Sequence, residues 1–269
     1  MEKIKDNKRI IAYVSFCLGH MAAGMTKDKF ISKTIKDLEN SPVGYAGFRR
    51  KEYLKKHLQW QIFGRTEEIK RFFKLNKGET FKIIEKAIKK CHQIIPSDST
   101  RIFVFPTFNP FIIKEMSGVA GYCPWQNTIH LYVHPVSGWK KVLENTVYHE
   151  FNHSIVAKYH QRKTLLDNIV IEGLAENFGE SISKTTTSWA KAISLAKCQK
   201  ILPNIKKLLN SRDYNIYQKV FFADKEYPLW TGYSIGYQIV KSFIRNNKNL
   251  TWEEMVKIKP KTILKKSNF

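Results

Sequence analysis

The sequence predicts an α+β protein, and three features of the chain indicate this class. Apolar residues recur at helical spacing over much of the first hundred residues. Two short runs near residues 102–105 and 129–134 have the apolar or alternating pattern of strands. Long helical patterns return after Trp139. With 269 residues, of which 43% are hydrophobic and 13% aromatic, the chain can bury a sizeable core.

The first part of the chain, residues 1–100, is predicted to be a basic and mainly helical region. The run FISKTIKDLENS places Phe30, Ile31 and Ile35 at helical spacing and stops at Ser41-Pro42. The run TFKIIEKAIKKCHQII predicts a further helix, which PSDS ends. The composition changes near Arg101 without a flexible linker, so the boundary is placed there.

The extreme N-terminus allows two interpretations. The basic run MEKIKDNKR precedes IIAYVSFCLGHMAAGM, which is apolar and ends in small residues, as in an export signal. The apolar run is too short to span a membrane as a helix. A buried strand or helix of a cytoplasmic protein is the favoured interpretation, with export through residues 1–25 as the alternative.

The second part, residues 101–269, is predicted to hold a small sheet followed by helices. RIFVFP predicts a strand over Ile102–Phe105, and NTIHLYVHP predicts another strand with two different faces. Three long helices are then predicted, with the approximate bounds Trp139–Lys158, Leu165–Ser183 and Gly232–Arg245. The region is therefore α+β with a helical C-terminal part.

The stretch VYHEFNHSIV contains the pattern that points to chemistry. His149 and His153 are four residues apart, so a helix presents both imidazoles on one face, with Glu150 beside them. Two histidines suit Zn²⁺ and leave room for a third ligand and a water, whose proton Glu150 can accept. Two structural histidines on a helix are the alternative for this motif taken alone.

A third ligand is predicted nineteen residues further on, in TLLDNIVIEGLAENFGE. Glu172 and Glu176 share one face of a predicted helix, and a buried carboxylate is costly unless something pairs with it. Glu172 is assigned as the third metal ligand. Glu176 is assigned as the acceptor of a ligating histidine's N–H, with a solvent-exposed residue as the alternative. Gly173 removes a side chain where two helices must approach closely around a small ion.

These residues resemble a known family. HEFNH followed by EGLAE is similar to the gluzincin zinc metallopeptidases, in which the third ligand is a Glu on the next helix. YHEFNHS, TLLDNIVIEGLAENF and TGYSIGYQIVKSF resemble the YjaZ-like family of predicted zinc-dependent proteases, over roughly residues 101–257. The resemblance implies a zincin-like fold, in which a small sheet with an edge strand packs on the active-site helix.

The resemblance also implies roles for residues outside the motif. Gluzincins supply a tyrosine or histidine to the oxyanion that forms at zinc, and Tyr233 and Tyr237 lie four residues apart on a predicted helix. One of them, with Tyr233 slightly favoured, is the candidate, and packing aromatics are the alternative. NTIHLYVHP occupies the place of the zincin edge strand, so His130 and Tyr132 are predicted to contact substrate.

Charge and cysteine content limit the classes of function. Lys and Arg number 46 against 23 acids, a net charge of +23, but the excess lies away from the motif. Nucleic acid is thus a possible but not a favoured partner. Four cysteines without a C-x-x-C pair predict no disulfide framework. The predicted function is a zinc metallopeptidase acting on peptides or proteins. The alternative is a zinc-binding, catalytically weak regulatory protein whose basic surface binds nucleic acid or an acidic partner.

Overall fold

A computed structural model describes residues 1–18, 25–42, 44–45, 47–65 and 75–269 of the chain. The chain divides into two compact units, Met1–Ser154 and Ile155–Phe269. The division falls inside the helix Trp139–Val156, so it differs from the composition change near Arg101. The boundary inferred from composition stays a prediction.

The first unit contains a mixed sheet, which makes the class α+β, as predicted. Its strands in the described residues are β1 (Glu2–Asp6), β2 (Arg9–Phe16), β3 (Thr100–Pro106), β4 (Val119–Trp125) and β5 (Thr128–Val133). They lie in the order β1-β2-β3-β5-β4. The three central strands are parallel, and β1 and β4 pair antiparallel at the two edges.

The strand β2 answers one question about the N-terminus. Ile11, Ala12 and Val14 are buried, so the prediction of a buried strand or helix is confirmed, as a strand, for the part of the apolar segment up to Phe16. Residues 19–24 of the alternative export signal lie outside the described residues. In the ranges that the structure describes, no helix combines the length and apolarity needed to cross a membrane.

The helices of the first unit surround this sheet. They are α1 (Lys27–Glu39), α2 (Lys51–Phe63), α3 (Lys77–Ile94), α4 (Pro110–Glu115) and α5 (Trp139–Val156). The side chains of Thr26 and Asn76 cap α1 and α3 by accepting hydrogen bonds from backbone N–H groups. Helices α1 and α2 form one core with β3, in which Leu58 joins Phe103 and Phe105.

The sheet order corrects one prediction about the strand β5. NTIHLYVHP does form a strand, but the prediction that it is the edge strand is wrong, because β4 pairs outside it. His130 lies between Phe103 of β3 and Tyr122 of β4. Both side chains pack among aromatic rings on one face of the sheet, including those of His57 and Phe105, so His130 and Tyr132 are fully buried.

Helix α5 is held in the first unit by α3. Lys90 Nζ lies 3.2 Å from Glu144 Oε1 and donates to the Tyr148 hydroxyl at 3.2 Å. The rings of His92 and Phe151 are 5.2 Å apart. These contacts fix the rotation of α5 about its axis, and with it the direction of the motif side chains.

The second unit is helical throughout its described elements. After the end of α5 it contains α6 (Leu165–Ser183), α7 (Leu195–Leu208), α8 (Tyr214–Phe222), α9 (Thr231–Asn246), α10 (Trp252–Met255) and α11 (Pro260–Ser267). Helices α6 and α9 cross with their backbones in contact at Gly173 and Gly236. Gly173 does lie at a close approach of two helices, and its neighbour there is α9. The predicted approach of two helices around an ion at Gly173 stays a prediction.

Candidate metal centre

The motif residues lie on α5 as the spacing predicts. His149, Glu150 and His153 are all buried. The two imidazole rings are 4.4 Å apart between centroids and nearly perpendicular, at 88°. One helical turn therefore brings both histidines to the same patch of the α5 surface.

The carboxylate of Glu150 lies against the edge strand β4. A β-carbon at Gly121 would overlap with Glu150 Cγ and would lie 2.5 Å from its Oε1. Only glycine leaves room for the carboxylate at this point of the strand. The backbone of β4 and Glu150 are therefore immediate neighbours within the first unit.

In the second unit, Glu172 lies buried on α6 and pairs with an arginine. The helix begins at a capping box in which Thr164 and Asp167 bond each other's backbone N–H groups. Arg162, two residues before this cap, places Nη1 2.5 Å from Glu172 Oε1. Burial alone would lower the pKa of Arg162, but the charge and hydrogen bond of Glu172, together with Tyr217 and Tyr233, outweigh burial and raise it. The arginine keeps 35% of its side chain exposed.

One group of potential metal donors occurs among the described residues. It consists of His149, His153 and Glu172, all buried, whose donor atoms lie within 4.8 Å of one another. Two imidazole nitrogens and one carboxylate oxygen form a set suited to Zn²⁺. The three residues predicted as ligands are thus brought together, and the group can bind a metal.

Glu176 is buried one turn after Glu172, so its alternative interpretation as a solvent-exposed residue is wrong. Its Oε2 accepts from the Thr187 hydroxyl at 2.5 Å and its Oε1 from Trp189 Nε1 at 2.6 Å. These bonds attach α6 to the segment after it. The predicted bond from a histidine to Glu176 stays a prediction.

The structure distinguishes the two tyrosines of α9. The Tyr237 hydroxyl donates to Glu180 at 3.0 Å and accepts from Lys241 Nζ at 2.7 Å. Tyr233 instead packs its ring 5.2 Å from that of Phe221. Burial and then the charge of Glu172 raise the pKa of Tyr233. Its phenol therefore stays protonated and can donate a hydrogen bond.

Sequence reasoning missed three kinds of contact at this site. Arg162 is one of three Lys and Arg residues between α5 and α6, and no spacing rule connects it to Glu172. Thr187 and Trp189 reach Glu176 from a segment without regular structure, which carries no periodicity. Gly121 would have been a candidate only if β4 had been predicted, since it is a glycine within a strand that often marks a close approach.

An α+β chain with a buried His–His–Glu group belongs to the class of candidate metal-binding proteins. The particular assignment comes from sequence comparison, which shows that the chain belongs to the family described as "Predicted Zn-dependent protease (DUF2268)", matched over residues 80–265. The predicted YjaZ-like relationship is confirmed, and the match begins earlier than residue 101.

Two relatives from Bacillus subtilis (strain 168) are similar to this chain. The uncharacterized protein YjfC is 23% identical over 212 residues, which cover 71% of each chain. The uncharacterized protein YjaZ is 32% identical over 116 residues, covering 38% of this chain and 42% of YjaZ. No solved structure matches the chain.

Proposed function

We propose that the chain is a zinc-dependent metallopeptidase of the gluzincin type with a zincin-like fold. The observation that carries this proposal is the buried group of His149, His153 and Glu172. Catalytic zinc sites use three such protein ligands and keep a fourth position for water. Mg²⁺ and Ca²⁺ prefer oxygen ligands, so two imidazoles favour zinc. The family description supports the same metal.

The chain's own residues would divide the chemistry among them. When bound, zinc would polarise the substrate carbonyl and lower the pKa of water. Glu150 would accept the proton of the attacking water and deliver it to the leaving amine. Tyr233 would donate its O–H to the carbonyl oxygen as negative charge develops there. Tyr237 suits this role less, because its hydroxyl is engaged by Glu180 and Lys241.

The edge strand β4 would hold the peptide. An extended substrate can add to an exposed sheet edge by backbone hydrogen bonds. Gly121 places the backbone of β4 directly beside Glu150, so a peptide paired there would lie beside the proposed base. His130 and Tyr132 were predicted to contact the substrate, but both side chains are fully buried. We therefore propose that β4 makes the substrate contact instead.

Replacing Glu150 tests the mechanism separately from metal binding. Glu150→Gln keeps the size of the side chain but cannot accept the proton. We expect zinc content equal to that of the parent and a loss of kcat/KM of about 100-fold or more on a quenched fluorescent peptide library. Glu115→Gln, an exposed position on α4, is the matched control. Unchanged hydrolysis in Glu150→Gln would contradict the mechanism.

Metal analysis tests the ligands themselves. His149→Ala should lose bound zinc in the purified protein, because it removes one of three donors. His160→Ala is the matched control, since His160 Nε2 donates to the Val256 carbonyl oxygen at 3.0 Å and His160 is not among the candidate metal donors. Equal zinc in the parent and in His149→Ala would remove the proposed site.

A further inference from the structure

An exposed strip of basic and aromatic side chains runs along α2. Tyr53, Lys56 and Trp60 are spaced at three and four residues, so they lie on one face of the helix. Tyr53 is 54% exposed and Trp60 53%. Arg49 and Arg50 precede the helix and are exposed. We call these five residues the basic aromatic strip.

The strip adjoins the end of the edge strand β4. The guanidinium of Arg49 lies 5.8 Å from the ring centre of Trp125, the last residue of β4, which is 47% exposed. Tyr122 of the same strand stacks on Phe48 at 5.8 Å and contacts the ring of His57 at 4.3 Å. The strip and the outer half of β4 therefore form one continuous surface of the first unit.

This surface carries an excess of positive charge. Residues 47–65 contain the single acid Glu52 and the bases Arg49, Arg50, Lys51, Lys55, Lys56 and Arg65. Lys51 pairs with Glu39, and Lys55 pairs with Asp28. Within the ranges that the structure describes, the three cations of the strip form no ion pair. They are placed to attract an anionic partner.

We propose that the basic aromatic strip binds an acidic segment of the peptide whose backbone pairs with β4. This inference rests on the proposed function and adds a substrate class, peptides with clustered Asp or Glu. Trp125 lies four residues beyond Gly121, and at about 3.3 Å per residue this is about 13 Å from Glu150. The acidic cluster therefore falls about three to five residues from the cleaved bond, on one side of it.

The continuity of the surface favours a peptide over other anions. Tyr122 and Trp125 belong to the strand that would pair with the substrate backbone. A peptide that extends along β4 must pass these rings and then Arg49. The backbone of such a peptide would pair with the strand, and the methylene groups of its side chains would contact the aromatic rings. Its carboxylates would pair with the cations of the strip.

The test measures binding, so that it does not depend on turnover. Fluorescent peptides with an Asp/Glu cluster are compared with matched Asn/Gln peptides by anisotropy, using Glu150→Gln protein. We expect the acidic peptides to bind about tenfold more tightly, and the triple change Arg49→Gln, Arg50→Gln, Lys56→Gln to remove that advantage. The matched control is Lys261→Gln, Lys265→Gln, Lys266→Gln, which removes the same charge from exposed positions of α11.

Three results would overturn the inference. In the first, acidic and neutral peptides bind equally well. In the second, the two triple changes have equal effects on peptide binding. In the third, the triple change in the strip weakens binding to single-stranded RNA or phosphatidylserine vesicles but not to acidic peptides. Failure of the proposed function looks different. If the parent protein cleaves no peptide but binds acidic peptides through the strip, only the binding proposal is supported. If it cleaves peptides without any preference for acidic ones, only the proposed hydrolysis is supported.

Discussion

The absence of a side chain at Gly121 makes room for the carboxylate of Glu150, the proposed base. A β-carbon there would overlap with the end of the Glu150 side chain. That end is flexible, so it can move at little cost in stability. A displacement of about 1 Å at a reacting group can nevertheless cost about 100-fold in rate. The role of this glycine is therefore visible in activity more than in folding.

Gly121→Ala should separate activity from stability. We expect kcat/KM for peptide hydrolysis to fall about 10- to 100-fold, with zinc content unchanged and the free energy of unfolding lowered by less than about 1 kcal/mol. Gly78→Ala on α3 is the control, because a β-carbon there meets only Asn76 at 3.6 Å. Hydrolysis at the parent rate in Gly121→Ala would show that the strand does not position the carboxylate.

At the residue scale, helical spacing predicted the candidate ligands but not their partners. His149 and His153 are one turn apart on any helix, and Glu172 lies on the next one. Arg162 reaches Glu172 from a loop, and Gly121 of a strand lies against Glu150. Only tertiary folding decides such contacts. Tyr233 and Tyr237 have equivalent positions in the sequence, and their neighbours on α6 tell them apart.

The crossing of α6 and α9 depends on two glycines at the same point. A β-carbon at Gly236 would overlap with the carbonyl oxygen of Ile169 and would lie 3.1 Å from the backbone nitrogen of Gly173. Backbone atoms of a helix cannot move aside as a side chain can. Any larger residue at Gly236 must therefore separate the two helices.

Gly236→Ala should destabilise the protein despite alanine's higher helix propensity. Overpacking costs about 1–3 kcal/mol or more, whereas the propensity gain is about 1 kcal/mol. We expect a net loss of about 1–2 kcal/mol, measured as a lower urea midpoint by circular dichroism. Gln238→Ala, two residues away on the less buried side of α9, should leave the midpoint nearly unchanged. A Gly236→Ala protein as stable as its parent would show that the helices separate freely.

At the element scale, the sequence indicated the long helices well and the sheet poorly. Helices α5, α6 and α9 begin within one residue of their predicted starts, because each has an uninterrupted apolar period. Strand β4 was not predicted, since Gly121 and Pro124 break its pattern. Strand order has no signature in periodicity, which is why β5 was taken for the edge.

At the scale of the whole molecule, the family match and the basic aromatic strip occupy different parts of the chain. The family match spans residues 80–265, whereas the basic aromatic strip lies before it. Net charge alone did not reveal the strip, because Lys and Arg are abundant along most of the chain. The structure distinguishes cations that already form an ion pair, such as Lys51 and Lys55, from the cations of the strip.

The four thiols of the molecule differ in their exposure. Burial raises the pKa of Cys17 to about 12 and that of Cys198 to about 11, and it raises the pKa of Cys91 as well. Cys123 is only half-buried, and it lies on β4 with its Sγ 3.1 Å from the Trp125 carbonyl oxygen. A thiolate-directed reagent therefore meets one accessible sulfur in the folded protein.

The edge strand thus contains a built-in chemical reporter of its own occupancy. Brief treatment with a maleimide, followed by peptide mass mapping, should label Cys123 well before the other three cysteines. An acidic peptide bound along β4 should slow that labelling, while a neutral peptide at the same concentration should slow it less. If no peptide changes the rate of Cys123 labelling, the bound peptide lies elsewhere on the protein.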